Sequence, residues 1–534
     1  MTQAKISSII EHKISSQRRD TDEKKKVLVL LLALFSTFGL VACGSSASAS
    51  DTLVVANGAD PITFDIQATN DQATTRVARQ IYETLVHQDE ELVLRPGLAK
   101  SWTEVGNNTY EFVLRDDVYF HNGEKFTAAD VEYTMRRALT SSTIAHIVGS
   151  VDPEKIEVVS EYVIRIGTKT PFGPFITHLA HPATAILNQK AVEAAGEDYG
   201  TTSAVGTGPF KFVSWVSGEK VVLERNDAYW GQKALMAKIE FRTIRESSVR
   251  LIGLENGEID IAYDISPADT ASVRANDKLT LVNTPNLGAE YLGLNQASND
   301  YLKDINVRKA IAHIIDVDAI VKAVYQNVGT QMSGPINSSV FGYNSSLSPY
   351  AYDADLAEEF LGKSAWPTGG FTLRLYVGDN SAERISVAQV VQEQLKKLNI
   401  TVVINQMEWG AFLAETAKPK ETTQADLFLL GWTTVTADAD YGLYPLFHSQ
   451  STPSGGNRVF YSNSEVDGYL ETGRNTSDQA VRKAAYEAAQ AIIHDELPWV
   501  FLQTRENVSA YRNVVTGFKH HPMGSYFLAG VSKK

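Results

Sequence analysis

Between Leu98 and Thr134 the hydrophobic pattern changes period, and that change restricts the fold more than any other feature. Tyr110, Phe112 and Leu114 alternate with Glu111, Val113 and Arg115, the period of two expected of a strand with one buried face. Val118-Tyr-Phe120 reads as a second strand, followed by Asn122-Gly123, which supplies the positive φ of a tight turn. Thr127 is a good N-cap, and Asp130 sits three residues on, where a carboxylate answers exposed amides. Phe126 and Val131 flank that cap as a hydrophobic staple. Val131, Thr134, Met135, Ala138 and Leu139 then share one helical face. Strand, turn, strand and capped helix in one stretch imply a mixed α/β protein.

The alternation continues along the chain. Strands are expected at Thr52–Asn57, Ile156–Val159, Tyr162–Ile166, Lys211–Val216, Val221–Arg225, Ile259–Tyr263, Phe371–Tyr376, Thr401–Ile404 and Leu427–Gly431. The last is almost continuously apolar, as a strand buried on both sides must be. Helices are expected near 188–195, 246–255 (ended by Gly257), 307–315, 317–325, 382–398 and 481–495. Along 382–398, Ile385, Val387, Val390, Val391 and Leu395 face inward. With 534 residues the chain exceeds one ordinary core, so at least two domains are expected.

Hydrophobic residues make up 43% and charged residues 21% of the chain, and its formal charge is −14. Residues 1–26 carry a surplus of three positive charges, so the remainder is more acidic still. Such a surface repels nucleic acid. The one cysteine, Cys43, excludes an internal disulfide. It follows Lys24-Lys25-Lys26 and an uncharged run from Val27 to Ala42, the layout of a signal peptide. That run is shorter than the roughly 20 residues of a membrane span. Leu40-Val-Ala-Cys43 matches a bacterial lipobox, which implies cleavage before Cys43 and lipidation of its thiol. Two or more acyl chains hold a protein to a membrane surface. Residues 45–50, Ser-Ser-Ala-Ser-Ala-Ser, form a small-residue tether.

The stretch from Leu98 to Thr134 resembles the signature of the extracytoplasmic peptide-binding proteins of ABC importers, a family with oligopeptide-, dipeptide-, glutathione- and nickel-binding members. Asp60-Pro61 with Ile81-Tyr-Glu-Thr-Leu85, Gly206-Thr-Gly-Pro-Phe210, Asn226-Asp-Ala-Tyr-Trp-Gly231 and Glu408-Trp-Gly410 echo it too. The resemblance implies a two-lobed periplasmic-binding-protein type II fold with an extra subdomain on the first lobe. It places the signal peptide at 1–42, the tether at 43–50, lobe I at 51–90, 205–290 and 503–534, the extra subdomain at 91–204 and lobe II at 291–502. It further implies a monomer whose partners are a short peptide, two permease subunits and their cytoplasmic ATPases, with no cofactor. Capture of glutathione, a nickel chelate, haem or a signalling peptide is the alternative.

No Gly-x-Ser-x-Gly, His-Glu-x-x-His, Cys-x-x-Cys or Walker loop is present, which argues against an enzyme. Pro209 removes an amide from the Gly-Thr-Gly run, so it is no phosphate loop. His520-His521 are strand neighbours pointing to opposite faces, unsuited to joint metal ligation and expected at the surface. His313 is expected to be a packed or surface histidine. The resemblance implies that ligand lies along Gly431, Trp432, Thr433, Thr434, Val435, Asp438 and Asp440, beyond the buried strand. Val435 stands where the family carries an aspartate for the peptide's amino group, so Asp438 or Asp440 is expected to take that role. Arg384, expected just before a helix, is the candidate for the ligand carboxylate. Ala73 and Thr74 lie at the expected cleft edge, and Trp409 is a candidate wall.

Overall fold

The computed structural model describes residues 51–69, 71–452, 456–519, 521–524 and 526–534. The signal peptide, Cys43, the tether and His520 lie outside the described residues.

One ten-stranded sheet organises the chain from Asp51 onward. Across it run Thr401–Met407, Thr372–Gly378, Leu427–Thr433, Leu279–Leu294, Trp499–Arg512, Ile261–Tyr263, Thr52–Asn57, Lys238–Thr243, Lys220–Arg225 and Phe210–Val216. The three at the first end are parallel to one another, as crossover helices such as Ala382–Leu395 require. The two central strands, Leu279–Leu294 and Trp499–Arg512, pair antiparallel and are by far the longest. The C-terminal part of one and the N-terminal part of the other pack into one core, with residues 287–502. Their opposite ends belong with the strands around Thr52–Asn57.

Between these halves the ladder breaks. Pro285 pairs with Glu506 and Ala289 with Thr504, so Asn286, Leu287 and Gly288 oppose Arg505 alone. Proline removes a ladder donor and the extra residues bend the strand. The Gly288 amide donates to Asn286 Oδ1 at 2.6 Å instead. Such bulges re-aim a side chain, here Arg505.

Three other cores are separate. One joins Leu53, Phe210, Ile239 and Tyr526, a second fills the region from Leu85 to Ile186, and a smaller one surrounds Leu254 and Val508. The second holds a four-stranded sheet and the capped helix Ala128–Thr140. There the Thr127 amide donates to Asp130 Oδ2 at 2.9 Å, and both staple residues, Phe126 and Val131, are buried. Val118–Phe120 forms only an isolated bridge, Tyr119 to Lys125, around Gly123 at φ 87°. The Phe120 amide donates to the Glu124 carbonyl at 2.8 Å and the Phe126 amide to the Val118 carbonyl at 3.2 Å, and the pairing goes no further. The glycines of Gly206-Thr-Gly208 serve packing: a Cβ on either would stand 2.1 or 2.6 Å from a carbonyl oxygen of Ile81 or Gln80.

Candidate functional site

The bulged strands floor a cleft made of two adjoining cavities of about 680 and 1040 Å³. Asn380, Arg384 and Arg505 line both. At the junction stands Glu290, a charge set in the apolar run Ala289-Glu-Tyr-Leu292. Arg384 Nε and Nη2 donate to its two oxygens, each at 2.9 Å. Arg505 Nε lies 3.2 Å from Glu290 Oε1, and the Arg505 side chain is 48% exposed. Gly431 makes room for this cluster: a Cβ there would stand 2.6 Å from Glu290 Oε1 and 2.9 Å from Arg384 Nη2.

Arg384 sits inside the helix Ala382–Leu395 rather than before it, with its amide capped by Ser381 Oγ. The expected carboxylate grip is therefore already occupied in part, because a buried guanidinium beside Glu290 takes the nearest anion. Arg505 is the more open cation. Gln503, 3% exposed, lines the first cavity and keeps a buried Oε1 without a partner among the described residues. That acceptor suits an amide or ammonium N–H.

On the opposite wall, Asp264 receives Arg76 Nη1 and Nη2 at 2.6 and 2.7 Å while its side chain stays 44% exposed. Burial pushes the Asp264 carboxyl up, and the Arg76 guanidinium outweighs this and holds it below its usual range. It remains a carboxylate at neutral pH, facing the cleft.

The expected site residues separate into two groups. Thr433 and Val435 line the first cavity, and Trp409, Gly431, Trp432 and Asp440 line the second. Trp432 Nε1 donates to the Tyr441 carbonyl at 3.0 Å, and Trp409 stacks on Phe412 at 5.5 Å. Ala73, Thr74, Thr434 and Asp438 are buried. Thr74 Oγ1 accepts from the Ile62 amide, while its neighbours Asp71, Gln72 and Thr75 reach the cavity. Asp438 caps the helix Ala439–Phe447 and takes Arg482 Nη2 on both oxygens, at 2.7 and 2.8 Å. Asp440 takes Arg474 Nε and Nη2 at 2.8 and 2.9 Å. Both carboxylates thus enter the ligand question already neutralised by arginines.

Among histidines, His521 is buried rather than exposed: its ring accepts from the Met523 amide and meets the Gln88 carbonyl at 3.2 Å. His313 contacts the Ala351 carbonyl at 2.9 Å. Among the described residues no group of three or more His, Cys, Asp or Glu is arranged to hold a metal ion.

Glu290, Arg505, Gln503 and Asp264 were not singled out from sequence. Only Glu290 left a signal, as a lone charge inside a strand that is otherwise buried.

A two-lobed α/β chain whose lobes share a pair of long strands beside a charged cleft has the architecture of an extracytoplasmic solute receptor. The sequence model of the bacterial extracellular solute-binding proteins, family 5 (middle region), matches residues 93–454, and the chain belongs to this family. The glutathione-binding protein GsiB of Pectobacterium atrosepticum is 32% identical over 495 residues, 90% of this chain and 95% of that one. The periplasmic binding protein DppA of Helicobacter pylori, solved with the peptide STSA, superposes with a TM-score of 0.75 at 29% identity, covering 90% and 98% of the two chains. HbpA2 of Haemophilus parasuis superposes with a TM-score of 0.81 at 26% identity, covering 90% and 100%.

Proposed function

We propose that the protein captures short peptides outside the cell and hands them to an ABC importer, without altering them chemically. The carrying observation is the cleft itself, where Glu290 and Asp264 stand as carboxylates and Arg505 as an open guanidinium. A peptide zwitterion matches such a wall: its carboxylate suits Arg505, and its amine suits an acidic group beside Gln503 Oε1. The strand Thr372–Gly378 pairs with Leu427–Thr433 only at Leu427 and Phe428, and the stretch beyond, where Gly431 and Trp432 line the second cavity, suits an extended ligand read through its main chain. Lobe closure about the bulged strands would enclose the ligand and form the surface a permease reads.

Glutathione, itself a tripeptide with two carboxylates, is the second reading, favoured by the likeness to GsiB. Mass spectrometry of ligand carried through purification separates the two. A panel of di- to pentapeptides and glutathione should then raise the melting temperature, as a ligand bound only to the native state must. No shift with any of them overturns the assignment.

The anchoring belongs to the same proposal. Lipid on Cys43 would hold the receptor to the outer face of the cell membrane, and metabolic labelling with a fatty acid should mark the parent chain but not Cys43→Ala. A parent chain that takes up no label would refute the anchor.

A further inference from the structure

A separate cavity of about 190 Å³ lies in the first lobe, behind Pro182 of the cleft wall. Its lining is largely apolar, with Ile66, Ala78, Tyr82 and Phe527. Arg79, in the last turn of the helix Gln72–Ile81, also lines it and is only 7% exposed. Its Nη1 is buried with no hydrogen-bond partner among the described residues, and its guanidinium carbon lies 4.8 Å from the centroid of the Phe527 ring. Among the described residues no carboxylate forms an ion pair with it. Other deeply buried arginines have partners: Arg76, Arg384 and Arg482 each hold a carboxylate in two hydrogen bonds, and Arg250 and Arg308 donate to backbone carbonyls.

The surroundings do not compensate Arg79. Burial alone pulls its guanidinium down to about 10. His87 lines the same cavity and His521 lies close by. Burial first, and then Arg79, keeps both imidazoles neutral. Glu83 shares the lining, but its oxygens are taken by Tyr229 Oη at 2.7 Å, Thr207 Oγ1 at 2.8 Å and Trp230 Nε1 at 2.9 Å. A buried cation without a partner is unfavourable, so an anion from solution would be favoured there.

We propose that this cavity is a second ligand site, taking a small monocarboxylate with an apolar body, such as an aromatic acid. The planar guanidinium grips a carboxylate by two parallel bonds, and the ring of the ligand lies against Phe527 and Tyr82. The size agrees, since an apolar cavity of about 150 Å³ admits benzene. Glu83 disfavours a multiply charged anion such as phosphate.

The test is a titration of the full chain with 4-fluorobenzoate, followed by ¹⁹F NMR. Saturable binding is expected, and it should weaken about tenfold or more in Arg79→Met, as for a lost charged hydrogen bond. Arg79→Met should melt no lower than the parent, because it removes an uncompensated buried charge. Phe527→Ala, at a position 41% exposed, should weaken binding in parallel. The neutral analogue 4-fluorobenzyl alcohol should bind more weakly by a similar factor. Arg505→Met, in the cleft, should leave the affinity for 4-fluorobenzoate unchanged. Absence of saturable binding, an affinity in Arg79→Met or Phe527→Ala unchanged from the parent, or loss of binding in Arg505→Met would each overturn the proposal.

Discussion

Two arginine–carboxylate groups flank the strand Leu427–Thr433, and they differ in what they leave open. Asp438 and Arg482 are sealed together, with side chains 1% and 5% exposed. Glu290 and Arg384 are nearly as buried, but a third member, Arg505, reaches into the cleft. The first group fixes the turn that starts the helix Ala439–Phe447. The second has an arginine that can exchange its partner for a ligand. Depth of burial therefore does not tell structural charges from binding ones, whereas an unsaturated extra member does.

Breaking the sealed pair should have the largest effect. Asp438→Ala strands Arg482 in the interior and should lower unfolding free energy by about 3–5 kcal/mol, read from urea midpoints. The double variant Asp438→Ala/Arg482→Met should recover part of that loss. A neutral single change would show that the pair does not fix the turn.

The open group should answer in affinity instead. Arg505→Met should weaken peptide binding by about tenfold or more in calorimetric titration, with stability changed by no more than about 0.5 kcal/mol. A loss of stability without a loss of affinity would reverse the contrast. Gly431→Ala lies between the two: its Cβ would press on Glu290, Arg384 and the Ala289 carbonyl. Overpacking of this kind destabilises by about 1–3 kcal/mol, and here it should weaken ligand binding as well.

Much of the scaffold was legible in the sequence, for local reasons. The Thr127–Asp130 cap, the Gly257 helix stop at φ 83° and the apolar strand from Leu427 are each written within a few residues. The site was legible only in outline. Glu290 and Arg384 are 94 residues apart, and Asp438 and Arg482 are 44 apart. No periodicity announces such pairs, because they exist only once the sheet brings its strands together. Arg482 looks in sequence like any surface charge, and only packing shows that it faces Asp438. Likewise, Arg505 owes its aim to a bulge that no motif encodes.

Thr127→Ala provides a control far from the cleft. Loss of the cap should lower stability by about 1 kcal/mol and leave peptide affinity as it was. An effect confined to acid pH should come from His521, whose imidazole burial, aided by Arg79, pushes down to about 3. Unfolded, it titrates near 6.5, so the unfolded chain binds more protons below that pH. Its contribution is then complete above pH 6.5 and declines as pH falls toward 5. His521→Gln should flatten that part of the stability profile, measured by urea unfolding at each pH, and an unchanged slope would contradict the assignment.

The pair of long strands also governs how the gene can vary in length. Side chains along a strand alternate between faces, so one inserted residue turns everything beyond it to the other side. An insertion within Leu279–Leu294 or Trp499–Arg512 would rotate Glu290 or Arg505 out of the groove and apolar residues into it. One beside Lys420, in an exposed turn, would leave both where they are.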